Sequence, residues 1–355
     1  MKNILIVNTC STGYNGITSV ILNYVRHTYT EVKYDFVLCG TVVESYASEL
    51  RKMGNEVFVA PCSRVKHPLK YMQWLSKILN SKKYDAIHVH GNSATTYIEI
   101  HSAKKANITK RIVHSHSTTC KHMLVHKLLK KRMNREITDA IACSDMAGKW
   151  LFTKEFAVLP NAIDIEKFKY DEQIRKSYRD EMELGEKLVI GHVGYMDVEK
   201  NHFFLLRVMK ELVKVEKNAK LLLIGDGKLR TDIEQFIVDN SLSEYVILLG
   251  KRSDVAELYQ CMDVFVLPSF CEGLPVTSVE AQTAGLPCFI SSNVTRQVSI
   301  TEKVKYIGIQ DDDVAEWVEN ILNIKSIDRK SDFDKIRISD FNIENSKEKL
   351  LSIYR

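Results

Sequence analysis

The chain has 355 residues, 45% of them hydrophobic and 27% charged, which are ordinary values for a soluble globular protein of about two domains and exclude fibrous, collagen-like and disordered classes. No run approaches the roughly eighteen apolar residues of a spanning helix, and MKNILIVNTC lacks the apolar core and cleavage site of a signal peptide, so a cytosolic location is expected. The net charge of +5 conceals a division: residues 1–165 hold 23 Lys+Arg against 12 Asp+Glu, and the remainder 27 against 33. A strongly basic half points to an anionic partner surface, and an acidic half to solubility.

In chain order, short runs rich in Val, Ile and Leu alternate with longer amphipathic stretches. Strands are predicted at ILIV (4–7), YDFVL (34–38), EVFV (56–59), YDAIHV (84–89), RIVH (111–114), DAIAC (139–143) and FAVL (156–159), with helical spacing over 17–27, 68–80, 93–105, 121–136 and 145–152. After Pro160 a polar, charged stretch interrupts the rhythm. It resumes with LVIGHV (188–193), KLLLIG (220–225), YVILLG (245–250), VFVLP (264–268) and LPCFI (286–290), and with helices over 201–214, 229–239, 254–261, 275–284 and 313–323. Strands that are apolar throughout and alternate with helices belong to parallel sheets covered on both faces. The expected fold class is therefore α/β, with two Rossmann-like domains in tandem, 1–165 and 166–340, and a last amphipathic helix, 341–355, packing back across them. Ligands in such folds bind beyond the carboxyl ends of the strands, which places the expected site in a cleft between two facing sheets.

Eight cysteines with no C-x-x-C pair, several inside strand-like runs, read as reduced and mostly buried. Two H-x-H pairs, His88/His90 and His114/His116, followed by His122 and His126, bring a zinc site into question, because strand residues two apart share a face. With no third ligand at a fixed spacing and no H-E-x-x-H, no metal is expected.

The dinucleotide fingerprint and the P-loop are both missing; GDGKLR (225–230) supplies two glycines and stops. The most informative segment is PSFCEGLPVTSVEAQTAGLP (268–287). Pro275 suits a first helical turn, Gly285 the left-handed position after the helix, and Pro287 prevents continuation. The start of that helix, with the Gly273 loop ahead of it, offers free N–H groups and a positive dipole end to phosphate or sugar oxygens. Glu272 lies in the loop and Glu280 within the helix, so two carboxylates at different depths can accept hydrogen bonds from a polyol. In GHVGYMDVEKNHFFLL (191–206), Lys200 precedes a helix that Asn201 is suited to cap, a compact positive pocket that fits a diphosphate leaving group. Finally, KHMLVHKLLKKRMNR (121–135) carries six Lys/Arg and no acid. With Lys127, Lys130, Lys131 and Arg132 beside Met123, Leu124, Leu128 and Leu129, it reads as a basic amphipathic helix for an anionic leaflet. No aromatic platform accompanies the charge, so nucleic acid is not expected as a partner.

Taken together, Glu272…Glu280 with its flanks, the EKNH loop with Lys200, PNAID at 160–164 and Gly16 after the first strand resemble the retaining glycosyltransferases of family 4, including enzymes of bacterial capsule and exopolysaccharide synthesis. The resemblance spans essentially the whole chain. It implies a GT-B fold, with the acceptor on the first domain and a nucleotide-sugar donor, most often UDP-linked, on the second; it also implies retention of configuration without a metal ion or other cofactor. It further implies that Glu272, with the N–H groups of Gly273 and Leu274, holds the donor sugar, that Glu280 holds the ribose, that Lys200 binds the diphosphate, that Gly16 closes over the phosphates and that Arg252 lies near the base. His116 matches the histidine near the reacting sugar, with His114 as a competing match. Tyr195 stands where an arginine is common, Asn15-Gly16 where two glycines are common, and Arg296-Gln297 where a carboxylate often follows Thr295. The acceptor so implied is a polyprenyl-diphosphate-linked saccharide at the inner face of the cell membrane, with the enzyme peripherally attached. Two other readings remain at this stage: a GT-B sugar-nucleotide epimerase, and a catalytically poor partner subunit of an active transferase, to which Tyr195 lends support.

Overall fold

A computed structural model describes residues 1–12, 16–324 and 328–355; Asn15 lies outside the described residues. The chain divides into two units, Met1–Ala162 with Ile343–Arg355, and Ile163–Asn342. These limits differ by a few residues from junctions at 165/166 and 340/341, because the connecting segments lie beside each other, Ile163 N donating to Phe341 O at 2.9 Å.

Among the described residues, the first unit holds seven strands, β1 (Lys2–Asn8), β2 (Val32–Leu38), β3 (Glu56–Val59), β4 (Ala86–His90), β5 (Lys110–Ser115), β6 (Asp139–Ala142) and β7 (Ala157–Val158). They alternate with helices α1 (Gly16–Thr28), α2 (Glu44–Lys52), α3 (Pro68–Leu79), α4 (Tyr97–Lys105), α5 (Met123–Glu136) and α6 (Asp145–Leu151). The sheet order is β3-β2-β1-β4-β5-β6-β7, and every pairing is parallel. Helices on both faces explain the absence of polar alternation in the central strands: all five residues of β4 are buried.

The second unit begins with α7 (Ile165–Phe168) and α8 (Glu172–Glu181). It continues through β8 (Leu188–Val193), α9 (His202–Val215), β9 (Ala219–Ile224), α10 (Arg230–Asp239), β10 (Val246–Gly250), α11 (Val255–Cys261), β11 (Val264–Leu267), α12 (Val276–Thr283), β12 (Cys288–Ser291), β13 (Val304–Ile307), α13 (Val314–Leu322) and α14 (Phe333–Arg337). The parallel order β10-β9-β8-β11-β12-β13 reverses between β8 and β11, as the first sheet reverses between β1 and β4. Connections leaving such a strand pair run in opposite directions and open a crevice beyond its carboxyl ends. The Lys200 loop follows β8 and the Glu272 loop follows β11, so both flank this switch point.

The last helix, α15 (Ile343–Tyr354), belongs to the first unit, where it packs on α1. Its end is fixed to the start of the chain by Lys2 Nζ, which donates to the carbonyls of Tyr354 and Arg355, each at 2.6 Å. No helix of the described residues is long and apolar enough to cross a membrane. The cysteines are less interior than their strand-like contexts suggested: Cys39, Cys143, Cys261 and Cys288 are buried, but Cys271 is exposed in the Glu272 loop.

Candidate functional site

Two loops of the second unit are clamped side by side. Beyond β8, Asp197 accepts from the backbone N–H of Lys200 at 3.3 Å and forms a one-turn helix over residues 198–200. Beyond β11, Phe270 N donates to Glu199 O at 2.9 Å, and Asn201 Nδ2 donates to Pro268 O at 3.2 Å. Asn201 therefore does not cap α9 with its side chain, as its sequence position suggested. It takes a left-handed conformation, φ 55° and ψ 44°, and ties the two loops together.

The clamp brings Lys200 Nζ onto Glu272 Oε1 in an ion pair whose side chains are 19% and 17% exposed. Ser269 Oγ donates to the same oxygen at 3.0 Å. Lys200 reaches Glu272 along Gly194: a Cβ there would stand 3.3 Å from Lys200 Cγ and Cδ. Behind the lysine lie two buried histidines, His192 and His202, with ring centroids 4.8 Å apart. His192 Nδ1 bonds the Val266 carbonyl at 2.9 Å, which assigns its proton to Nδ1. Burial, followed by the Lys200 charge, lowers the His202 pKa to about 4, and burial, followed by the His202 charge, holds His192 well below its ordinary value. Both rings are neutral near pH 7, so Lys200 is the cation of this pocket.

The GDG string at 225–227 is not a truncated dinucleotide fingerprint. A Cβ on Gly225, whose φ is 136°, would lie 1.9 Å from Gly194 O, and one on Gly227 would lie 2.3 Å from Met196 O. The two glycines let the loop after β9 close against the loop after β8, where Met196 N donates to Asp226 O and Leu229 N to Met196 O, each at 3.0 Å. A G-x-G directly after a strand was the available signal for this approach. Nothing in the sequence marked His192, His202 or Ser269.

On α12, Glu280 accepts from Tyr259 Oη at 3.0 Å. Burial raises its pKa to about 7, against the lowering effects of the Tyr259 hydrogen bond and the Lys167 charge. The helix starts at Val276 with Pro275 as N-cap, and Gly285 takes φ 74° beyond its end, where a Cβ would meet Arg329 O at 2.0 Å. Leu274 is buried and Gly273 partly exposed. Tyr195 points outward, 43% exposed. Arg252 is not brought to Lys200 and Glu272 by any contact of the described residues; it makes a two-point pair with Asp254, at 2.8 Å and 2.5 Å, and Asp254 also accepts from Tyr178 Oη at 3.1 Å.

In the first unit, Gly16 opens α1, and a Cβ there would meet no atom within 4 Å, so packing among the described residues does not demand a glycine. His116 is one of four buried histidines on β4, on β5 and just beyond β5: His90 Nδ1 lies 2.9 Å from His116 Nε2, and His88 Nδ1 lies 2.7 Å from Tyr354 Oη. Burial lowers the pKa of His116 to about 4, with a hydrogen bond to Asn161 opposing, and that of His88 to about 3, aided by the His116 charge. His90 and His114 are likewise held well below the usual range, by burial first.

Helix α5 presents an outward stripe in which Leu124, 83% exposed, and Leu128, 70% exposed, are flanked by exposed Lys127, Lys131, Arg132 and Arg135. Lys130 lies elsewhere: it is turned inward and donates to the Trp150 carbonyl at 2.5 Å, one turn from buried His126, which stacks on Trp150 at 4.6 Å. Leu129 is only partly exposed, whereas Met123 and Val125 are exposed beside Leu124 and Leu128, so the apolar face is shifted from the one the sequence suggested.

Residues 187–326 match the family model described as "Glycosyl transferases group 1". The chain is 29% identical to the putative glycosyltransferase EpsF of Bacillus subtilis over 96% of this chain and 93% of that protein. It is also 29% identical to the Escherichia coli UDP-Gal:alpha-D-GlcNAc-diphosphoundecaprenol alpha-1,3-galactosyltransferase, over 81% and 79% of the two chains. Among solved structures, Anabaena HepE in complex with UDP-glucose superposes over 99% of both chains with a TM-score of 0.81 at 16% identity; this likeness concerns the fold, which is GT-B.

Proposed function

We propose that this glycosyltransferase, whose residues 187–326 form a group 1 glycosyltransferase domain, transfers a hexose with retention from a UDP-sugar to a polyprenyl-diphosphate-linked saccharide in cell-surface polysaccharide synthesis. The observation that carries the reading is the Lys200–Glu272 pair at the second unit's switch point, on loops joined by three hydrogen-bonded or ionic links. The ammonium has three donors. With one on Glu272, the others face the place where a diphosphate oxygen gains charge as the glycosidic C–O bond breaks. Such preorganised charge acts in transition-state stabilisation without reorganisation cost. Glu272 accepts from the hexose hydroxyls and is kept in place by Ser269, while Glu280 accepts from the ribose.

Because Lys200 supplies the positive charge, the transfer is proposed to need no divalent cation at the diphosphate and no cofactor. The departing phosphate oxygen takes the acceptor's proton on the same face, which yields retention without a protein base. The name of the Escherichia coli relative supports a UDP-linked donor and an undecaprenyl-linked acceptor. Peripheral attachment to the inner leaflet is proposed through α5, whose Leu124 and Leu128 sit between cations.

Supplying a panel of nucleotide sugars with native lipid extract, without added Mg²⁺ or Mn²⁺, should give a lipid product heavier by one hexose. Conversion of the sugar nucleotide without an acceptor would instead identify an epimerase. The exposed, neutral Tyr195 favours a second reading, a binding subunit of an active transferase; calorimetric binding of UDP-sugar with no product from any extract would select it.

A further inference from the structure

The first unit carries a cluster of four histidines, of which the sequence resemblance places only one, His116 or the competing His114, near the reacting sugar. In the parallel pairing of β4 with β5, His90 stands opposite His114. Alternation puts His88 on the same face as His90, and His116 on the same face as His114. Adjacent rings stand close: His88 and His90 at 4.2 Å, His90 and His114 at 5.0 Å, and His114 and His116 at 4.1 Å between centroids. All four are buried, yet His88 Nε2 has no hydrogen-bond partner, and the His114 ring has none beyond an interaction with the Leu159 backbone. Native interiors rarely leave such atoms unpaired. Three of the four rings, His88, His90 and His114, offer nitrogens that all lie within 4.8 Å of one another, the one such group of His, Cys, Asp or Glu found among the described residues. They line, with Tyr354, a cavity of about 10 Å³, the space of roughly one water.

We propose that His88, His90 and His114 form a binding site for a divalent transition-metal ion of the zinc class, with a water in the fourth position. Imidazole suits such ions, and three protein nitrogens with one open position is an established zinc arrangement. Nitrogens about 2.05 Å from a tetrahedral ion stand roughly 3.3 Å apart, so the set closes by side-chain rotation of an ångström or so. The outer partners are already present, as metal-bound histidines require. Ligation through Nε2 leaves the His88 Nδ1–H to Tyr354 Oη and the His90 Nδ1–H to His116 Nε2. Metal loading would thereby fasten the end of α15 to the sheet and fix His116 with its proton on Nδ1. The sequence showed both H-x-H pairs but not that β4 and β5 are neighbours in this register, which supplies the third ligand.

The test uses the untagged full chain, stripped with a chelator and titrated with Zn²⁺ and, separately, Co²⁺. The site predicts one equivalent of Zn²⁺ per chain, a higher melting temperature on loading, and the visible absorption of a four-coordinate cobalt ion. All three should be lost in the H90Q/H114Q double variant and kept in H122Q, which removes an exposed histidine. If the double variant does not fold, the cobalt spectrum of the wild-type chain decides. An octahedral cobalt spectrum, no zinc uptake by the wild-type chain, or equal uptake by a folded H90Q/H114Q variant would overturn the proposal and leave a water as the occupant.

Discussion

Lys200 and Glu272 are 72 residues apart in sequence and meet because each follows a strand that borders the reversal of sheet order. Glu280 is the residue with the sharpest pH signature. Its pKa is raised from 4.5 to about 7, so the folded state binds this proton more tightly than the unfolded chain does. The resulting contribution is fully present below about pH 4.5 and is lost as pH rises through 7. At 1.36 kcal/mol per unit it amounts to roughly 3 kcal/mol. Melts of the unliganded protein between pH 5 and pH 8 should therefore fall less steeply in E280Q than in wild type, and parallel curves would show that Glu280 is solvated in solution. Nucleotide affinity should rise across the same window, because a carboxylate accepts hydroxyl hydrogen bonds more strongly than its acid does. The placement of Lys200 and Glu272 beyond strand ends and of Glu280 on α12 was readable from strand-end position and helix punctuation; their roles belong to the proposed function. Ser269, His192 and His202 were not marked, and the four clustered histidines were marked only as two separate H-x-H pairs, because such roles depend on which loops and strands end up adjacent.

At the level of elements, the apolar runs located twelve of the strands and most helices, since a buried parallel strand needs little beyond a run of Val, Ile and Leu. The omissions have physical reasons. Helix α8 falls in the charged stretch after Pro160 and has no apolar stripe; it is held by Asp171 at its N-cap and by Arg175 and Arg179, which grip Asp263 and the carbonyls of Gln260, Cys261 and Met262. Helix α2 spans nine residues and buries only Tyr46, Ala47 and Leu50. Strand β13 is an edge strand with Lys305 exposed. For α5 the composition was readable but its facing was not, since Lys130 looked equivalent to Lys131 until the structure turned it onto Trp150. Neutralising Lys127, Lys131, Arg132 and Arg135 should release the protein from anionic vesicles, each cation contributing about 1 kcal/mol near the surface, while UDP binding stays intact. Replacing Leu124 and Leu128 with Ser should weaken vesicle binding further. Cosedimentation measures both, and unchanged binding would show that this stripe does not face a membrane.

Across the whole chain, a modest net charge is the sum of a basic first half and an acidic second half, and α5, whose exposed face mixes leucine with cations, lies in the basic half. The chain's last segment returns to the first unit, where α15 buries Ile343, Leu350, Leu351 and Tyr354. Leu351→Ala should cost about 2–5 kcal/mol, the usual range for a core leucine, and lower the first unit's unfolding midpoint; a loss below about 1 kcal/mol would mean that α15 detaches readily. The central claim, that Lys200 and Glu272 carry sugar transfer, is tested most directly by the rate of product formation from a UDP-sugar in K200A and E272A, each shown to be folded by its melt. Loss of the lysine should lower kcat about 100- to 1,000-fold, the range for removing one preorganised donor, and E272A should be comparably impaired. Wild-type turnover by either variant would contradict the assignment.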